Sequence, residues 1–178
     1  MTTVERLVLR LERSIPASCA AVYRALTDPK ELGKWWGPRG FIAPSVEFDP
    51  QVGGGYRIAM QPPDGDLFHL SGEFREVEPP ARLAYTFRWD PPHPDDRETV
   101  VTVSLGDRGE NTEVRLTHGE FATAERYALH EAGWTESFER LERLLGEARD
   151  EIAGSSDGGP APQSRRQPLC TAAPAGRV

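Results

Sequence analysis

His118 is the side chain of this sequence best placed for proton transfer. The alternation of apolar and polar residues around it predicts a strand on which it points inward. An inward imidazole in a cavity can act as a general base, and Tyr85, with the same predicted orientation, can act as the acid. Such catalysis also needs an orienting partner and a positioned electrophile, and the pattern identifies neither. A histidine hydrogen-bonded at the rim of the sheet is therefore the simpler interpretation.

The residue spacings that mark other reactive sites do not occur. The four histidines do not form i, i+4 pairs, and no cluster of cysteine and histidine suggests a metal site. Gly53-Gly54-Gly55 leads into a predicted strand rather than a helix N-terminus, which argues against a phosphate-binding loop. A Gly-x-Ser-x-Gly nucleophile motif is missing. We predict no metal and no cofactor, and a catalytic role only under the His118–Tyr85 alternative.

Two short helices are predicted after an N-terminal strand. Residues 6–13 alternate between apolar and charged side chains, as a half-buried strand does. Residues 17–27 carry the apolar stripe of a helix. Asp28 is placed to cap a second short helix that runs through Trp36, and Gly37-Pro38 ends it.

Short alternating segments separated by turn residues extend from Val46 to His118. Strands at such close spacing predict an antiparallel meander rather than a parallel sheet. From Ala122 to about Leu145 the apolar residues recur at helical spacing, so the longest helix comes last. This order predicts an α+β fold in which a curved antiparallel sheet wraps around a long C-terminal helix.

Large aromatic side chains on the inward faces of the strands oppose aromatic residues of the last helix. They form either a solid core or the wall of a cavity. Because large rings on a concave sheet are hard to pack at interior density, we predict a cavity centred on Trp89, Tyr85 and Trp134. The predicted ligand-binding residues are Trp35, Trp36, Tyr56, Ile58, Phe68, Leu70, Phe74, Tyr85, Phe87, Trp89, Val101, Val103, Leu116, His118, His130, Trp134 and Phe138.

Three residues near the ends of the predicted cavity have two interpretations each. Adjacent residues cannot both face inward on one helix, so one of Trp35 and Trp36 should lie in the core. The other should cap the open end of the sheet or gate the cavity. Gly133 inside a helix costs about 1 kcal/mol relative to Ala. Close approach of the helix to the sheet is the expected compensation, and room for a ligand beside Trp134 is the alternative.

Length and charge restrict the class of protein. A chain of 178 residues with 38% hydrophobic residues favours one domain, placed at residues 1–148. A net charge of −7 argues against nucleic acid and anionic membrane as partners, because both require a basic face. The N-terminus has no signal-peptide pattern, and no apolar run reaches the roughly 18 residues that span a bilayer.

The two cysteines and the C-terminal segment carry separate predictions. Cys19 lies in the first predicted helix and Cys170 in the C-terminal segment, so we predict no disulfide. Two unpaired cysteines are typical of a reducing compartment, which favours a cytoplasmic location. Residues 149–178 are rich in Ala, Ser, Gly and Pro, and we predict a disordered tail.

Several motifs resemble those of one known family. The pieces are Trp35-Trp36-Gly37-Pro38, the run from Glu76 to Leu83, and Gly133-Trp134 followed by Ser137-Phe138 and Leu141. They resemble the bacterial homologues of the activator of heat-shock protein 90 ATPase, a family of the START-like (SRPBCC) superfamily. The resemblance covers about residues 5–148 and implies the helix-grip fold, with two short helices after the first strand.

The resemblance implies a cavity but no single reaction, since fold does not determine function. Our first expectation is a protein that binds a small hydrophobic or aromatic molecule, as lipid-binding members of the superfamily do. The second is an enzyme similar to polyketide cyclases/aromatases or to hydrolases that uses the same cavity. The third is a stress-response module that contacts a chaperone through its outer surface. A homodimer is left open.

Overall fold

Seven strands and three helices make up the part of the chain that the computed structural model describes, residues 6–153 and residue 170. In chain order they are β1 (Leu9–Ile15), α1 (Cys19–Thr27), α2 (Pro29–Trp35), β2 (Ile42–Phe48), β3 (Gly55–Gln61), β4 (Phe68–Glu78), β5 (Arg82–Asp90), β6 (Thr99–Arg108), β7 (Asn111–Gly119) and α3 (Ala124–Ala153).

The strands form one sheet in the order β1-β7-β6-β5-β4-β3-β2, and every neighbouring pair is antiparallel. The sheet curls around α3, and α1 and α2 connect its two edge strands. The predicted α+β helix-grip architecture is therefore confirmed. No described helix is both long and apolar enough to cross a bilayer.

At Gly72 the backbones of β4 and β5 approach closely. A Cβ atom at this position would lie 1.9 Å from the carbonyl oxygen of Thr86. The same carbonyl accepts a hydrogen bond of 2.5 Å from the hydroxyl of Tyr56. The register between the strands shifts between Phe74 and Glu76. Only glycine allows this approach, because any Cβ here would clash with the backbone of β5.

The cap of α2 is the one predicted from the sequence. The Asp28 carboxylate accepts a hydrogen bond of 2.9 Å from the backbone N–H of Lys30. At the other end, Trp36 has φ −62° and ψ 133°, so it has already left the helix. Both tryptophans are buried, since Trp35 is 0% and Trp36 is 7% exposed. The expectation that only one of them is buried is therefore wrong. The rule for adjacent helical residues does not apply to a residue outside the helix.

The core lies between the concave face of the sheet and α3. Phe138 and Leu141 of α3 are fully buried, and the Phe138 ring lies 6.3 Å from that of Trp35. The Trp35 indole donates a hydrogen bond of 2.9 Å to the carbonyl of Ala25 in α1. The two short helices and the long one thus share a single buried cluster with the sheet.

A disulfide joins Cys19 to Cys170, which makes the prediction of no disulfide wrong. Their Cα atoms are 6.1 Å apart, and Cys170 is buried, with its N–H 3.4 Å from the carbonyl of Leu105. A separation of 151 residues says nothing about distance in the fold. The two cysteines are therefore not unpaired, and they no longer argue for a reducing compartment. Helix α3 extends to Ala153, and the rest of the predicted tail, apart from Cys170, lies outside the described residues.

Candidate functional site

A cavity of about 460 Å³ opens between α3, the segment after α2, and strands β3 to β5. Its volume is in the range typical of small-molecule sites. Leu129 of α3 lines it and is 55% exposed, so the cavity opens to solvent on that side. The lining residues are Trp36, Gly37, Pro38, Phe41, Met60, Phe68, Phe87, Trp89, Pro91, His93, Asp96, Arg126, Leu129, His130, Ala132, Gly133, Trp134, Glu136 and Ser137.

Six of the predicted ligand-binding residues line this cavity, and all six carry aromatic rings. They come from the segment after α2, from β4, from β5 and from α3, which the fold brings to one end of the sheet. The six are Trp36, Phe68, Phe87, Trp89, His130 and Trp134.

The other predicted ligand-binding residues are buried in the core and do not line the cavity. They are Trp35, Tyr56, Ile58, Leu70, Phe74, Tyr85, Val101, Val103, Leu116, His118 and Phe138. The rings of Tyr56, Phe74 and Tyr85 pack together at centroid distances of 5.3–5.7 Å and fill one end of the concave face. Burial raises the pKa of Tyr85 above its ordinary value, so this phenol stays protonated.

The aromatic wall is built from edge-to-face contacts. The Trp36 and Trp134 rings pack at 5.4 Å and 80°, which joins the segment after α2 to α3. Trp89 packs against Phe87 at 5.0 Å and against Phe68 at 5.3 Å. This geometry is the preferred one for aromatic pairs, and it holds several ring surfaces at the cavity.

His118 is fully buried behind the wall, with hydrogen bonds at both ring nitrogens. Nδ1 accepts a bond of 3.0 Å from the indole N–H of Trp134. Nε2 lies 2.7 Å from the hydroxyl of Thr99. Because an indole only donates, Nδ1 must carry the lone pair, and the proton resides on Nε2 and points to Thr99. The simpler interpretation of His118, a hydrogen-bonded histidine, agrees with this geometry, although the side chain is inside the core rather than at a rim.

His130 is held in the opposite tautomer. Its Nδ1 lies 2.6 Å from the carbonyl of Arg126, which can only accept, so Nδ1 carries the proton. Its Nε2 accepts a bond of 2.9 Å from the indole N–H of Trp89. Each histidine therefore orients one tryptophan of the cavity wall.

Both imidazoles are neutral in this arrangement. Burial lowers the pKa of His118 well below its ordinary value, and nearby His130 lowers it further. Burial also lowers the pKa of His130. A proton on either ring would occupy the lone pair that accepts the indole bond. The lone pair a general base needs is already engaged in both residues.

Gly133 lies in the cavity wall rather than against the sheet. The nearest atom that a Cβ would meet outside its own helix is Cγ of Pro38, at 3.9 Å. The prediction that Gly133 allows a close approach of the helix to the sheet is therefore wrong. Its missing side chain leaves space in the cavity beside Trp134, as the alternative interpretation held.

Arg140 of α3 fastens the segment that follows α2. Its Nη1 lies 3.0–3.3 Å from the carbonyl oxygens of Trp36, Gly37, Pro38 and Phe41. The segment supplies four lining residues, including Trp36 and Phe41. One guanidinium thus positions much of one wall.

The loop between β5 and β6 forms another part of the wall, and arginines hold it as well. Arg97 donates to the carbonyls of Glu120 and Phe121 at 2.7 and 2.9 Å. Asp96 forms an ion pair of 2.6 Å with Arg126 in the first turn of α3. This pair and His93 of the same loop are among the few polar side chains of a largely apolar cavity, together with Glu136 and Ser137 of α3.

Sequence reasoning missed these two wall segments. Residues 37–41 and 91–96 are irregular, so the two- and 3.6-residue periods that locate inward faces do not apply to them. One cue was available for Arg126. A cation in the first turn of a predicted helix opposes the helix dipole and calls for a nearby acid. No group of three or more metal-ligating side chains comes together in the part of the chain that the structure describes.

Comparisons with known proteins agree with the fold and the motifs. The family model described as Activator of Hsp90 ATPase homolog 1-like protein matches residues 16–146. A crystal structure of a Chromobacterium violaceum protein is 28% identical, with a TM-score of 0.72 over 78% of this chain and 96% of its own. The Silicibacter pomeroyi protein named AHSA1 is 29% identical, with a TM-score of 0.70 over 79% and 99%.

A third solved structure, an Arthrobacter aurescens protein determined by NMR in solution, is 25% identical. It aligns with a TM-score of 0.71 over 83% of this chain and 90% of its own. The search of curated proteins finds no significant match.

Proposed function

This chain belongs to the family of Activator of Hsp90 ATPase homolog 1-like proteins, and we propose that it binds a small hydrophobic, aromatic molecule in the cavity between α3 and the sheet. The observation that carries the proposal is the aromatic wall of this 460 Å³ cavity. Tryptophan and phenylalanine rings offer large apolar contact area, and offset or edge-to-face packing favours a flat ring as the occupant. Gly133 supports it, because the helix forgoes about 1 kcal/mol of propensity at a position where no neighbour demands glycine.

The hydrogen bonds of the two histidines favour binding over acid–base catalysis. His118 is separated from the cavity by the wall, and its Nδ1 lone pair is bound to Trp134. Tyr85 lies in the filled end of the sheet, so the acid and base of the enzyme alternative do not meet at the cavity. A chaperone contact through the outer surface and a cytoplasmic location stay predictions.

Titration with a neutral fluorescent naphthalene dye, phenylnaphthylamine, tests the proposal. We expect one saturable site on the native protein and quenching of the fluorescence of Trp36, Trp89 and Trp134. The Gly133→Leu variant should lose the site, because its side chain enters the cavity. The same change should not weaken the fold, since leucine is a better helix former than glycine and the Cβ position is unobstructed.

Ala128→Leu is the matched control, because Ala128 is exposed on the same helix and does not line the cavity. It should bind the dye like the wild type. Near-ultraviolet circular dichroism and thermal unfolding must show native packing in all three proteins, which excludes dye binding to a molten state. Equal binding by the Gly133→Leu and Ala128→Leu variants, or no saturable binding to the native wild type, would refute a ligand site in this cavity.

A further inference from the structure

We infer that Arg126 determines which aromatic molecules this cavity takes, by donating a hydrogen bond to an uncharged oxygen acceptor, such as a ketone carbonyl, on the ligand. The inference rests on the proposed function and specifies its ligand class. It starts from the ion pair of Arg126 with Asp96, which lies in the wall of a largely apolar cavity.

The position of Arg126 is unfavourable by itself. Its backbone N–H bonds to the Thr123 hydroxyl at 3.2 Å, which places it in the first turn of α3. A positive charge there opposes the helix dipole. Its side chain is only 15% exposed and that of Asp96 only 9%, so both charges have lost most of their water. A residue placed where two effects oppose it suggests a role beyond packing.

The need to attach the loop between β5 and β6 does not explain the ion pair of Arg126 with Asp96. The adjacent Arg97 already joins this loop to the carbonyls of Glu120 and Phe121. Asp96 also accepts a bond of 2.7 Å from the backbone N–H of His93, which closes the turn within the loop itself. The loop therefore has anchors that do not require a cation in the cavity wall.

The arginine keeps donors for an occupant, whereas both oxygens of the Asp96 carboxylate already accept hydrogen bonds. Nε and Nη2 of Arg126 both contact Oδ1 of Asp96, at 2.7 and 2.6 Å. Oδ2 of Asp96 takes the His93 N–H. Within the described residues, Nη1 of Arg126 has no hydrogen-bond partner, and its two N–H groups belong to a residue of the cavity wall. The free N–H groups of Arg126 therefore favour a hydrogen-bond acceptor on the ligand.

The charge of the surroundings selects an uncharged acceptor. Asp96 already balances the charge of Arg126, and Glu136 adds a second carboxylate to the same cavity. A carboxylate ligand would face both acids, whereas a carbonyl gains the hydrogen bond without this repulsion. An aromatic ketone, ester or quinone fits the ring-lined walls and the free N–H donors of Arg126.

Three naphthalene probes of one substitution pattern test the inference by fluorescence titration or calorimetry. Acetylnaphthalene carries the carbonyl, isopropenylnaphthalene replaces its oxygen with CH₂, and naphthoate carries a charge. The ketone should bind wild type about tenfold more tightly than the alkene, which corresponds to 1.4 kcal/mol, a modest value for a bond to a charged donor. It should also bind more tightly than naphthoate.

In the Arg126→Met variant, which keeps an apolar stem of similar length, the advantage of the ketone over the alkene should vanish while the alkene still binds. In Asp96→Asn, naphthoate should gain affinity relative to the alkene, because the arginine is no longer neutralised. If the Arg126→Met variant does not fold, the affinity of Asp96→Asn for naphthoate relative to the alkene tests the inference by itself.

An unchanged preference for the ketone in Arg126→Met overturns the inference and leaves the proposed function intact. So does equal affinity of ketone and alkene for wild type, or no gain of naphthoate in Asp96→Asn. Failure of wild type to bind the alkene, the ketone and phenylnaphthylamine alike refutes the proposed function itself. The two failures are therefore distinguishable in one set of titrations.

Discussion

The indole N–H of Trp134 in α3 donates to Nδ1 of His118 in β7 across 3.0 Å, and both residues are buried. This bond joins the last helix to β7, the strand beside the edge strand β1. It also fixes the face that Trp134 presents to the cavity, because the ring cannot rotate without losing its buried partner.

Replacing His118 with Phe should destabilise the protein by about 1–3 kcal/mol, because the Trp134 N–H is left buried without an acceptor. Trp134→Phe removes the donor and leaves the histidine lone pair unbonded. The double variant should cost less than the sum of the two single changes, since neither orphaned group remains. Urea unfolding of the four proteins gives this coupling energy, and strict additivity would show that the bond contributes nothing.

Stability should fall as pH falls below about 6.5, the ordinary histidine pKa. Burial holds the pKa of His118 and of His130 below that value. In this window the unfolded chain binds more protons than the native protein, so acid favours unfolding. The loss should reach up to about 2 kcal/mol for each histidine at pH 5.

Urea midpoints measured between pH 7.5 and 5 check this dependence. The His118→Asn variant, which cannot titrate at that position, should show a clearly smaller slope than wild type. A wild-type midpoint that does not change over this range would mean that the histidines are not held neutral by the fold.

Leu141→Ala should cost about 2–5 kcal/mol, because Leu141 is fully buried where α3 packs on the sheet. Leu129→Ala in the same helix is the matched control, and it should have little effect on unfolding since Leu129 is 55% exposed. Chemical denaturation compares the two. Similar midpoints for both variants would contradict the burial of this face of α3 against the sheet.

The disulfide between Cys19 and Cys170 should raise stability under oxidising conditions by about 2–4 kcal/mol, chiefly by restricting the unfolded chain. Cys170→Ser should lower the melting temperature of oxidised protein, and Cys19→Ser should lower it by the same amount. Both variants should match wild type treated with dithiothreitol. A mass spectrum of oxidised wild type that shows two free thiols would exclude the bridge.

The elements of this fold were predictable because each carries a local pattern. Asp28 begins α2 as a cap does, β5 alternates from Leu83 to Trp89, and α3 repeats its apolar residues at helical spacing. The same alternation located Trp89 on the inner face. It could not show that Tyr85, four residues earlier, packs in the filled end of the sheet. Alternation shows on which face of the sheet a side chain lies, but not whether the cavity extends to that point along the strand.

The rest of the site depends on contacts between residues distant in sequence. Arg140 reaches the carbonyl of Trp36 over 104 residues, and Arg126 reaches Asp96 over 30. Cys19 and Cys170 meet for a similar reason, since α1 begins beside the end of β6. Periodicity describes one element at a time, so it contains no information about which irregular segments will face one another.

The fastening of two irregular segments by arginine side chains makes the cavity a modular part of the molecule. Arg140 binds backbone carbonyls of the segment from Gly37 to Phe41, and Arg97, at the end of the loop from Pro91 to Asp96, binds the carbonyls of Glu120 and Phe121. While β5 and α3 supply a common frame, neither contact depends on the other side chains of these two segments. Their composition can change without altering the hydrogen-bond ladder of the sheet. One scaffold of this kind can therefore be adapted to new ligands by exchanging about a dozen residues, in evolution or at the bench.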